Sequence, residues 1–552
     1  MRAAALSGVV AVAAILAACT VGPDYRRPAA LVPAAYKEFH DKEAKPQPGW
    51  QLGRPADAAD RGEWWAIYHD PVLDGLERRI DISNQNLKAA AAAFREAEYI
   101  VAEARAGFFP TATVNASAQR SRSGSGSGVS SAAGSGVVGV GGNGGGGRGG
   151  GGNISNFFSG SVAASWAPDL WGSIRRTVEA NVATAQASAA DLAGARLSAQ
   201  GALAADYLQL RVDDELKRLL DDSVTAFAES LRISKNQYAA GIAAQSDVSQ
   251  ATAQLQSTQA QAIAVGVNRA QFEHAIAVLV GVPPAALTIA PTDVVDVVPS
   301  IPPGLPSALL ERRPDIAAGE RAMQAANAQI GVQVAAFYPS ITLSGDSGTA
   351  ALSLAKLVND SSRFWSLGAD LIDTVFEAGL RDAQVQAARA VFYQDLADYR
   401  QTVLSAFQQV EDELAAQRIL AQEAVVQNAA VAAAREAQRV INNQYLAGTV
   451  AYTSVIVAEQ TALADAETAL NIRSSRLVAS AALVQALGGG WNAALLPSRG
   501  RIENEAPLDL NPLPPILPVQ GQEPQSLDTH GPNHQSPNPQ SSNPQSQGIR
   551  RQ

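Results

Sequence analysis

The sequence predicts an α+β chain that consists mainly of long α-helices, with four short strands and two internal structural repeats. Three observations support this prediction. A nine-residue motif occurs twice, apolar residues recur every three or four positions along stretches poor in Gly and Pro, and four shorter stretches alternate apolar with polar residues. The first pattern is typical of an internal repeat, the second of helices and the third of half-exposed strands.

The repeat is visible as two pairs of matching motifs. The segment ISKNQYAAG at 233–241 recurs as VINNQYLAG at 440–448, an offset of 443 − 236 = 207 residues. Upstream, GFFPT at 107–111 recurs as AFYPS at 336–340, an offset of 339 − 110 = 229. The first copy is therefore longer between these landmarks, and its Gly- and Ser-rich tract at 121–153 accounts for the extra length as a long loop.

Each copy is predicted to contain a short helix, two strands, a long helix and a second short helix. The predicted helices cover residues 71–106, 174–238 and 246–280 in the first copy, and 307–335, 380–445 and 452–487 in the second. The predicted strands cover 111–119, 158–167, 341–345 and 363–371. The apolar stripe in the second long helix runs in steps of three and four through Leu396, Tyr399, Val403, Phe407 and Val410.

The lengths of the helices restrict the architecture. A helix of about 65 residues is roughly 100 Å long at 1.5 Å per residue. Such a helix is too long for a compact globule, so it must belong to a bundle, a coiled coil or a tube. Two of the shorter helices placed end to end would match one long helix.

The strands are weakly apolar on one face. In the stretch 364–371, Trp365, Leu367, Ala369 and Leu371 alternate with Ser366, Gly368 and Asp370. This alternation fits a strand of an outer-membrane barrel, and it fits equally a half-buried strand of a soluble sheet. Four strands cannot close a barrel, because even small barrels use eight. If the strands lie in a membrane, several chains must share one barrel.

The amino terminus predicts an export signal. Arg2 precedes an apolar run at 3–18, which ends in Leu-Ala-Ala before Cys19, the one cysteine of the chain. This pattern resembles a bacterial lipoprotein signal, in which the cysteine becomes the acylated first residue. The alternative is an ordinary signal peptide with an incidental cysteine. By the same resemblance, Thr20 after the cysteine favours delivery to the outer membrane.

Composition argues against several classes of function. The formal charge of −10 disfavours a nucleic-acid binder, and a single cysteine rules out a disulfide framework. The five histidines are scattered without helical i, i+3 or i, i+4 pairs, and no convergent catalytic set can be assembled. We therefore predict no enzyme activity, no cofactor and no metal. Acidic runs such as Asp213-Asp214-Glu215 are predicted to lie on solvated helix faces.

Several motifs resemble the TolC-like outer-membrane factors, in particular their NodT/OprM lipoprotein branch. They are CTVGPDYRRP at 19–28, WWAIYHDPVLDGL at 64–76, the two strand-start motifs, ERRPDI at 311–316 and the two NQYxAG turns. The resemblance implies a homotrimer with a 12-stranded transmembrane β-barrel and a helical tunnel of 12 helices across the periplasm. It also implies a passive efflux channel that works with a periplasmic adaptor protein and an inner-membrane transporter, most often of the resistance-nodulation-division type.

The resemblance further implies a periplasmic gate at the turns 238–247 and 445–452, where Gly241 and Gly448 end the long helices. Asp247 matches the acidic position of the family in the first copy. The second copy departs from the family, which has an Asp followed three residues later by an Arg. Those positions hold Val457 and Gln460, with Thr453 one turn earlier. Either the gate closes by packing of Ile456 and Val457, or its charges lie elsewhere, or these residues only pack the helix pair.

The predicted organisation follows from these features: a signal peptide at 1–18, a lipidated periplasmic segment at 19–70, repeat one at 71–281, a linker at 282–306 and repeat two at 307–490. A C-terminal segment at 491–552 is predicted to be disordered from about residue 507 because Pro, Gln, Ser and Asn dominate it. The alternative function is a structural or adhesive trimeric coiled-coil surface lipoprotein. That alternative predicts uninterrupted heptads and no doubled unit of strands and helices.

Overall fold

The computed structural model describes most of the 552-residue chain: residues 20–30, 32–39, 63–122, 154–292, 298–299, 301–302, 304 and 306–505. Four predicted features lie outside these residues. They are the signal peptide, the acylated Cys19, all but the first two residues of the Gly-rich tract and the C-terminal tail from residue 506.

The described residues are mainly helical and include one four-stranded sheet, as the sequence predicted. The first half contains α1 Pro71–Ser83, α2 Gln85–Ala106, β1 Thr111–Arg122, β2 Ile154–Trp166, α3 Ser173–Ala239 and α4 Gln245–Val280. The second half contains α5 Leu309–Arg312, α6 Pro314–Ala335, β3 Ser340–Ala351, β4 Arg363–Ile372, α7 Leu380–Leu446, α8 Tyr452–Ala486 and α9 Arg499–Glu505.

Two predicted helices are each divided. The first breaks at Asn84, whose backbone is extended and whose side chain accepts a hydrogen bond from the Leu87 amide at 3.0 Å. The Asn84 amide group also donates to the Leu279 carbonyl at 2.7 Å, so a tertiary contact stabilises the break. The other divides at Arg313, because a residue before proline disfavours the helical conformation and Pro314 begins a new helix. The short helix α9 was not predicted.

The two long helices have the same length. Helices α3 and α7 each contain 67 residues, and their first residues differ by 380 − 173 = 207. Each follows a glycine with positive φ, Gly172 and Gly379, both at φ 85°. The predicted offset of 207 therefore describes the helix boundaries as well as the turn motifs. At 1.5 Å per residue, each helix is roughly 100 Å long.

The sheet is antiparallel with the strand order β1-β2-β3-β4. Thr111 pairs with Ser165, Phe158 with Ala351, and Ser340 with Ile372. Within the described residues, the outer strands β1 and β4 pair on one side only, so one edge of each strand is open. Every residue of β4 is exposed in the single chain, including Trp365, Leu367 and Leu371.

The largest apolar cluster packs α1 and the preceding 3₁₀ helix Trp64–Tyr68 against α3, α4 and α8. Trp64, Trp65 and Tyr68 are all buried, and the Tyr68 hydroxyl lies 2.6 Å from the Ser480 hydroxyl. A second cluster joins Tyr36, from the segment before the first helix, with α6, α7 and α8. The double-Trp motif thus packs where the short helices α4 and α8 end, remote from the turns, against the middle of the long helix α3.

One acidic run does not lie on a solvated face, contrary to prediction. Asp214 is buried and accepts from the guanidinium groups of Arg211 at 3.1 Å and Arg269 at 2.6 Å. Arg211 also donates to the Tyr207 hydroxyl at 2.9 Å and to the Ala290 carbonyl at 2.7 Å. The sequence could not reveal this burial, because it depends on how the segment after α4 folds back over α3.

Candidate gate at the turns between long and short helices

Both turns after the long helices have the same hydrogen-bonded geometry. The Gly241 amide donates to the Tyr238 carbonyl at 2.9 Å, and the Ile242 amide donates to the Gln237 carbonyl at 2.9 Å. In the second turn, Gly448 donates to Tyr445 at 2.9 Å and Thr449 to Gln444 at 3.0 Å. This pair of bonds defines the Schellman motif, which satisfies the last carbonyls of a helix.

The two glycines are required by backbone conformation. Gly241 has φ 74° and Gly448 has φ 72°, values that residues with a Cβ rarely adopt. No atom lies within 4 Å of the position that a Cβ would occupy at either glycine, so space does not explain the choice. The structure therefore places Gly241 and Gly448 at the helix ends, as predicted, with a defined local role.

An apolar cluster joins the helices next to the turns. Leu231 of α3, Ala251 of α4, Tyr445 of α7 and both Tyr452 and Val455 of α8 are buried together. The rings of Tyr445 and Tyr452 lie 5.3 Å apart with a tilt of 50°. One chain thus brings all four long and short helices into a single contact at this end. We name these five buried residues the tip cluster.

The two copies differ inside this shared geometry. Tyr445 is 9% exposed, whereas Tyr238, its counterpart by the 207 offset, is 48% exposed. The Tyr445 hydroxyl donates to the Gln237 side-chain oxygen of the other turn. The second turn therefore packs against the first through Tyr445, whereas Tyr238 of the first turn remains exposed.

The predicted gate residues of α8 point in two directions. Thr453 and Val457 line an open groove of about 430 Å³ between α7 and α8, opposite Ala434, Ala437 and Ile441. Val457 is 62% exposed, and the partly buried Ile456 packs on the tip cluster instead. Gln460 faces α4, where its amide nitrogen donates to the Gln254 side-chain oxygen at 2.5 Å. The structure therefore does not bring Val457 and Gln460 into contact with the same neighbours.

Asp247 lies in the first turn of α4, where a negative charge complements the helix dipole. Its carboxylate accepts from the Ser246 hydroxyl at 3.3 Å, and its backbone amide donates to the Ala244 carbonyl. No salt bridge to Asp247 occurs among the described residues. Within one chain, this acid therefore acts at the helix start.

Sequence reasoning missed Glu459, which lies between Val457 and Gln460 in the same helix. Its side chain is buried, and one carboxylate oxygen accepts from the Ser230 hydroxyl of α3 at 3.0 Å. Burial raises the pKa of Glu459, and the charge of this group together with burial raises the pKa of Tyr452 to about 12. Only its place on the α3-facing side of the helix distinguishes it from the solvated glutamates nearby.

The turns are flanked by exposed ion pairs at equivalent positions. Arg232 pairs with Glu229 at 2.5 Å in α3, and Arg439 pairs with Glu436 at 2.6 Å in α7. The guanidinium groups lower the pKa of both glutamates. Such exposed i, i+3 pairs contribute little stability, but they place a matching charge pattern on both copies.

No group of three or more His, Cys, Asp or Glu side chains in the described part of the chain is arranged to hold a metal ion. None of the helices there combines the length and the apolar character needed to cross a membrane.

Comparison with known proteins identifies the family. The family model for outer membrane efflux proteins matches residues 78–282 and 305–489.

The chain belongs to the outer membrane efflux protein family.

The two matched segments include both long helices and both turns of the candidate gate. The family name given by the motifs in the sequence is therefore correct.

Curated relatives in this family resemble the chain over nearly their whole length. The toluene efflux pump outer membrane protein TtgC of Pseudomonas putida is 28% identical over 493 residues, which is 88% of this chain and 96% of TtgC. The pyoverdine export outer membrane protein OpmQ of Pseudomonas aeruginosa is 30% identical over 79% of this chain and 89% of OpmQ. The cation efflux protein CusC of Escherichia coli is 28% identical.

Solved structures of outer-membrane proteins share the fold. The outer-membrane channel OprN is 28% identical with a TM-score of 0.73, covering 86% of this chain and all of the OprN chain. The outer membrane protein VceC of Vibrio cholerae is 25% identical with a TM-score of 0.68, covering 78% of this chain and 99% of VceC.

Proposed function

We propose that the protein is the outer-membrane channel of a tripartite efflux system. It would be a passive exit duct that connects, through a periplasmic adaptor protein, to an inner-membrane pump of the resistance-nodulation-division type. The relatives named as efflux pump outer membrane proteins support the class of function. The channel conducts rather than catalyses, and the partner pump supplies the energy of transport.

The observation that supports a shared channel is the sheet with two open edges. Strand β1 has 12 residues and β4 has 10. Within the described residues, each of these strands has a hydrogen-bonded neighbour on one side only. Three copies of a four-stranded sheet would supply 12 strands, and joining β4 of one copy to β1 of the next would leave no open edge. We therefore propose a homotrimer with a shared 12-stranded transmembrane β-barrel.

The exposed face of the sheet fits this assembly. Val162, Trp365, Leu367 and Leu371 are 54%, 75%, 80% and 67% exposed in the single chain. Large apolar side chains that alternate with Ser366, Gly368 and Asp370 give a strand one lipid-facing and one water-facing side. The adjoining helices of about 100 Å would then form the periplasmic tunnel from two copies of the repeated unit per chain.

Two further parts of the proposal concern the lipid anchor and the gate. We propose that Cys19, which lies outside the described residues, is acylated and holds the protein at the outer membrane. We propose that the turns at Gly241 and Gly448, with Asp247, Thr453, Val457 and Gln460, form the periplasmic gate. The proposed gate closes by apolar and amide contacts, because Val457 and Gln460 replace the charged pair of the family.

Relatives are named for toluene, pyoverdine and cations, which have little chemistry in common. Because members of one family serve such different cargo, we propose that this channel discriminates by width rather than by specific binding. The competing class, a structural or adhesive coiled-coil lipoprotein, predicted uninterrupted heptads. The interposed sheet and the family assignment disfavour it.

Single-channel recording tests the proposal. Purified full-length protein in a planar lipid bilayer should give stepwise conductance, and its mass in detergent should be that of a trimer. A trimer that forms no pore would refute the channel. Within the same assay, Val457→Arg should change conductance because it places a charge in the proposed gate. The matched variant Val457→Thr keeps the shape and should conduct like the wild type; identical traces for all three would remove Val457 from the gate.

Acylation has a separate test. Cys19→Ser should abolish incorporation of labelled palmitate while part of the protein still assembles in the membrane through its strands. Complete loss of membrane association in this variant would count against the shared barrel, because the strands alone should hold the trimer in lipid. The variant Thr20→Ser leaves the cysteine in place and serves as the control for acylation.

A further inference from the structure

Glu459 is a buried acid beside the candidate gate. Its side chain is 5% exposed in α8, and it packs between α3 and α7. This burial is complete within one chain, so it does not depend on how copies assemble.

The surroundings of Glu459 leave one of its oxygens unpaired. The Ser230 hydroxyl donates to Oε1 at 3.0 Å, while Oε2 is buried and has no hydrogen-bond partner within the described residues. A cavity of about 90 Å³ lies against the group, lined from α3 by Leu219, Ser223, Ala226 and Phe227, from α7 by Arg435 and Gln438, and from α8 by Ala462, Leu463 and Ala466.

The charged and titratable groups facing Glu459 are few. Arg435 of α7 lines the cavity but is itself exposed, and Tyr452 lies on the same helix at two turns' distance. Helix α3 contributes apolar and hydroxyl groups and no counter-ion at this position. An ionised carboxylate is expensive in such a place, and the neutral acid is not, because a protonated oxygen can donate or remain unpaired at a smaller cost.

The equivalent position in the first copy holds a residue that cannot ionise. By the 207 offset, Thr252 of α4 corresponds to Glu459, and its hydroxyl donates to the Val248 carbonyl of its own helix at 2.7 Å. Thr252 is thus satisfied locally and does not titrate. At this repeat position, an acid that bonds a long helix occurs in the second copy and not in the first.

We propose that Glu459 is a proton-operated lock between α3 and α8, next to the candidate gate. The neutral acid, bonded to Ser230, holds α8 against α3. Ionisation favours a looser arrangement, in which water or the Arg435 guanidinium reaches the carboxylate. This inference rests on the proposed function for its effect on conduction, whereas the lock itself requires only the contacts of one chain.

The direction of the pH effect follows from linkage. Burial raises the pKa of Glu459 above its ordinary value of 4.5, so the locked form binds a proton that the open form releases. The lock is therefore fully effective below about pH 4.5 and weakens as the pH rises through the raised pKa. Within that interval, the opening constant should increase by up to about tenfold per pH unit.

Hydrogen exchange of the intact trimer tests the lock. As the pH rises above about 4.5, amides of 455–466 should lose protection in the wild type by up to about tenfold per pH unit, after correction for the intrinsic exchange rate, until the raised pKa of Glu459 is passed. Glu459→Gln cannot ionise and should remove this pH dependence. Glu423→Gln changes an exposed acid of α7 and should behave like the wild type. Protection of the wild type that is independent of pH, or an unchanged slope in Glu459→Gln, would overturn the proposal.

A second variant at the same position keeps the test valid if Glu459→Gln fails to fold. Glu459→Thr introduces the residue of the first copy, and it too should give pH-independent exchange. In bilayers, the wild-type conductance should rise with pH and that of Glu459→Gln should not. If no pore forms, the proposed channel function is refuted, and the hydrogen-exchange experiment still tests the lock independently. A pore with normal pH response in Glu459→Gln would refute a role of the lock in gating.

Discussion

Gln460 donates through its amide nitrogen to the side-chain oxygen of Gln254 at 2.5 Å, which joins the two short helices at the same end as the turns. The two residues are 206 positions apart and belong to different copies of the unit. Gln254 also donates to the Thr258 hydroxyl at 3.4 Å, so its amide orientation is defined from both sides. Gln460, at the position where the family has an Arg, thus makes a neutral contact between the two repeats of one chain.

This contact can be measured by a double-mutant cycle. Gln254→Ala, Gln460→Ala and the double variant should show a coupling of about 0.5–1 kcal/mol in thermal unfolding, because the bond is neutral and solvent-accessible. The exposed Gln256 provides the control pair. Gln256→Ala combined with Gln460→Ala should be additive within error, and equal coupling in both cycles would show that the amide bond has no specific effect.

Replacement by alanine should change stability in opposite directions at a turn glycine and at a glycine inside a helix. Gly448→Ala should lower stability by about 1 kcal/mol, because φ 72° is unfavourable for alanine. Gly266→Ala, inside α4 with no atom within 4 Å of the added Cβ, should raise stability by up to about 1 kcal/mol. Thermal midpoints of the two variants should therefore move in opposite directions. A decrease in both would point to a general intolerance of added volume.

The buried arginine of α3 should be a strong determinant of stability. Arg211→Met removes one of the two arginine partners of buried Asp214 and the bond to the Ala290 carbonyl, at an expected cost of about 3 kcal/mol in the free energy of unfolding. Lys217→Met breaks an exposed pair with Asp221 in the same helix and should cost less than about 0.5 kcal/mol. Chemical denaturation of both variants measures the difference, and comparable losses would contradict the buried network.

Glu77 of α1 gives a prediction about pH and stability. Its side chain is fully buried, neither carboxylate oxygen has a hydrogen-bond partner in the described part of the chain, and burial, with the charges of Asp81 and Asp74, raises its pKa to about 9. The folded state therefore retains a proton that the unfolded state releases above about pH 4.5. Stability should fall by up to about 1.4 kcal/mol per unit as the pH rises toward 9.

Thermal midpoints between pH 5 and 9 test this expectation. Glu77→Gln should flatten the dependence, because the amide stays neutral in both states. Glu96→Gln, an exposed acid of α2, should retain the wild-type slope. If Glu77→Gln loses stability with pH as steeply as the wild type does, other groups are responsible for the alkaline loss.

The sequence was sufficient for the features that depend on local rules. The NQYxAG motif predicts the helix end, since glycine must occupy the positive-φ position, and the structure has Gly241 and Gly448 there. The steps of three and four through Tyr399, Val403 and Phe407 predicted a buried helix face, and these residues are buried. The spacing of apolar residues along a helix and the glycine requirement of a turn depend on only a few neighbouring residues, so a single sequence is enough to predict them.

Features that depend on which helices meet could not be predicted. Asp214 and Glu459 look like members of solvated acidic faces, and their burial follows from the position of a neighbouring helix. The break at Asn84 depends on a carbonyl of Leu279, nearly two hundred positions away. In the same way, the different directions of Val457 and Gln460 follow from the positions of α7 and α4 around α8.

Within the described part of the chain, one edge of β1 and one edge of β4 have no partner strand, and this has a consequence for biogenesis. Each edge offers unpaired amides and carbonyls that any extended peptide can join. If three copies share one barrel as proposed, a newly exported polypeptide would be vulnerable to aggregation until the edges of different copies meet. The cell must either keep this intermediate scarce or shield it with a holdase, so the abundance of mature protein should depend on the speed of that encounter as well as on its intrinsic stability.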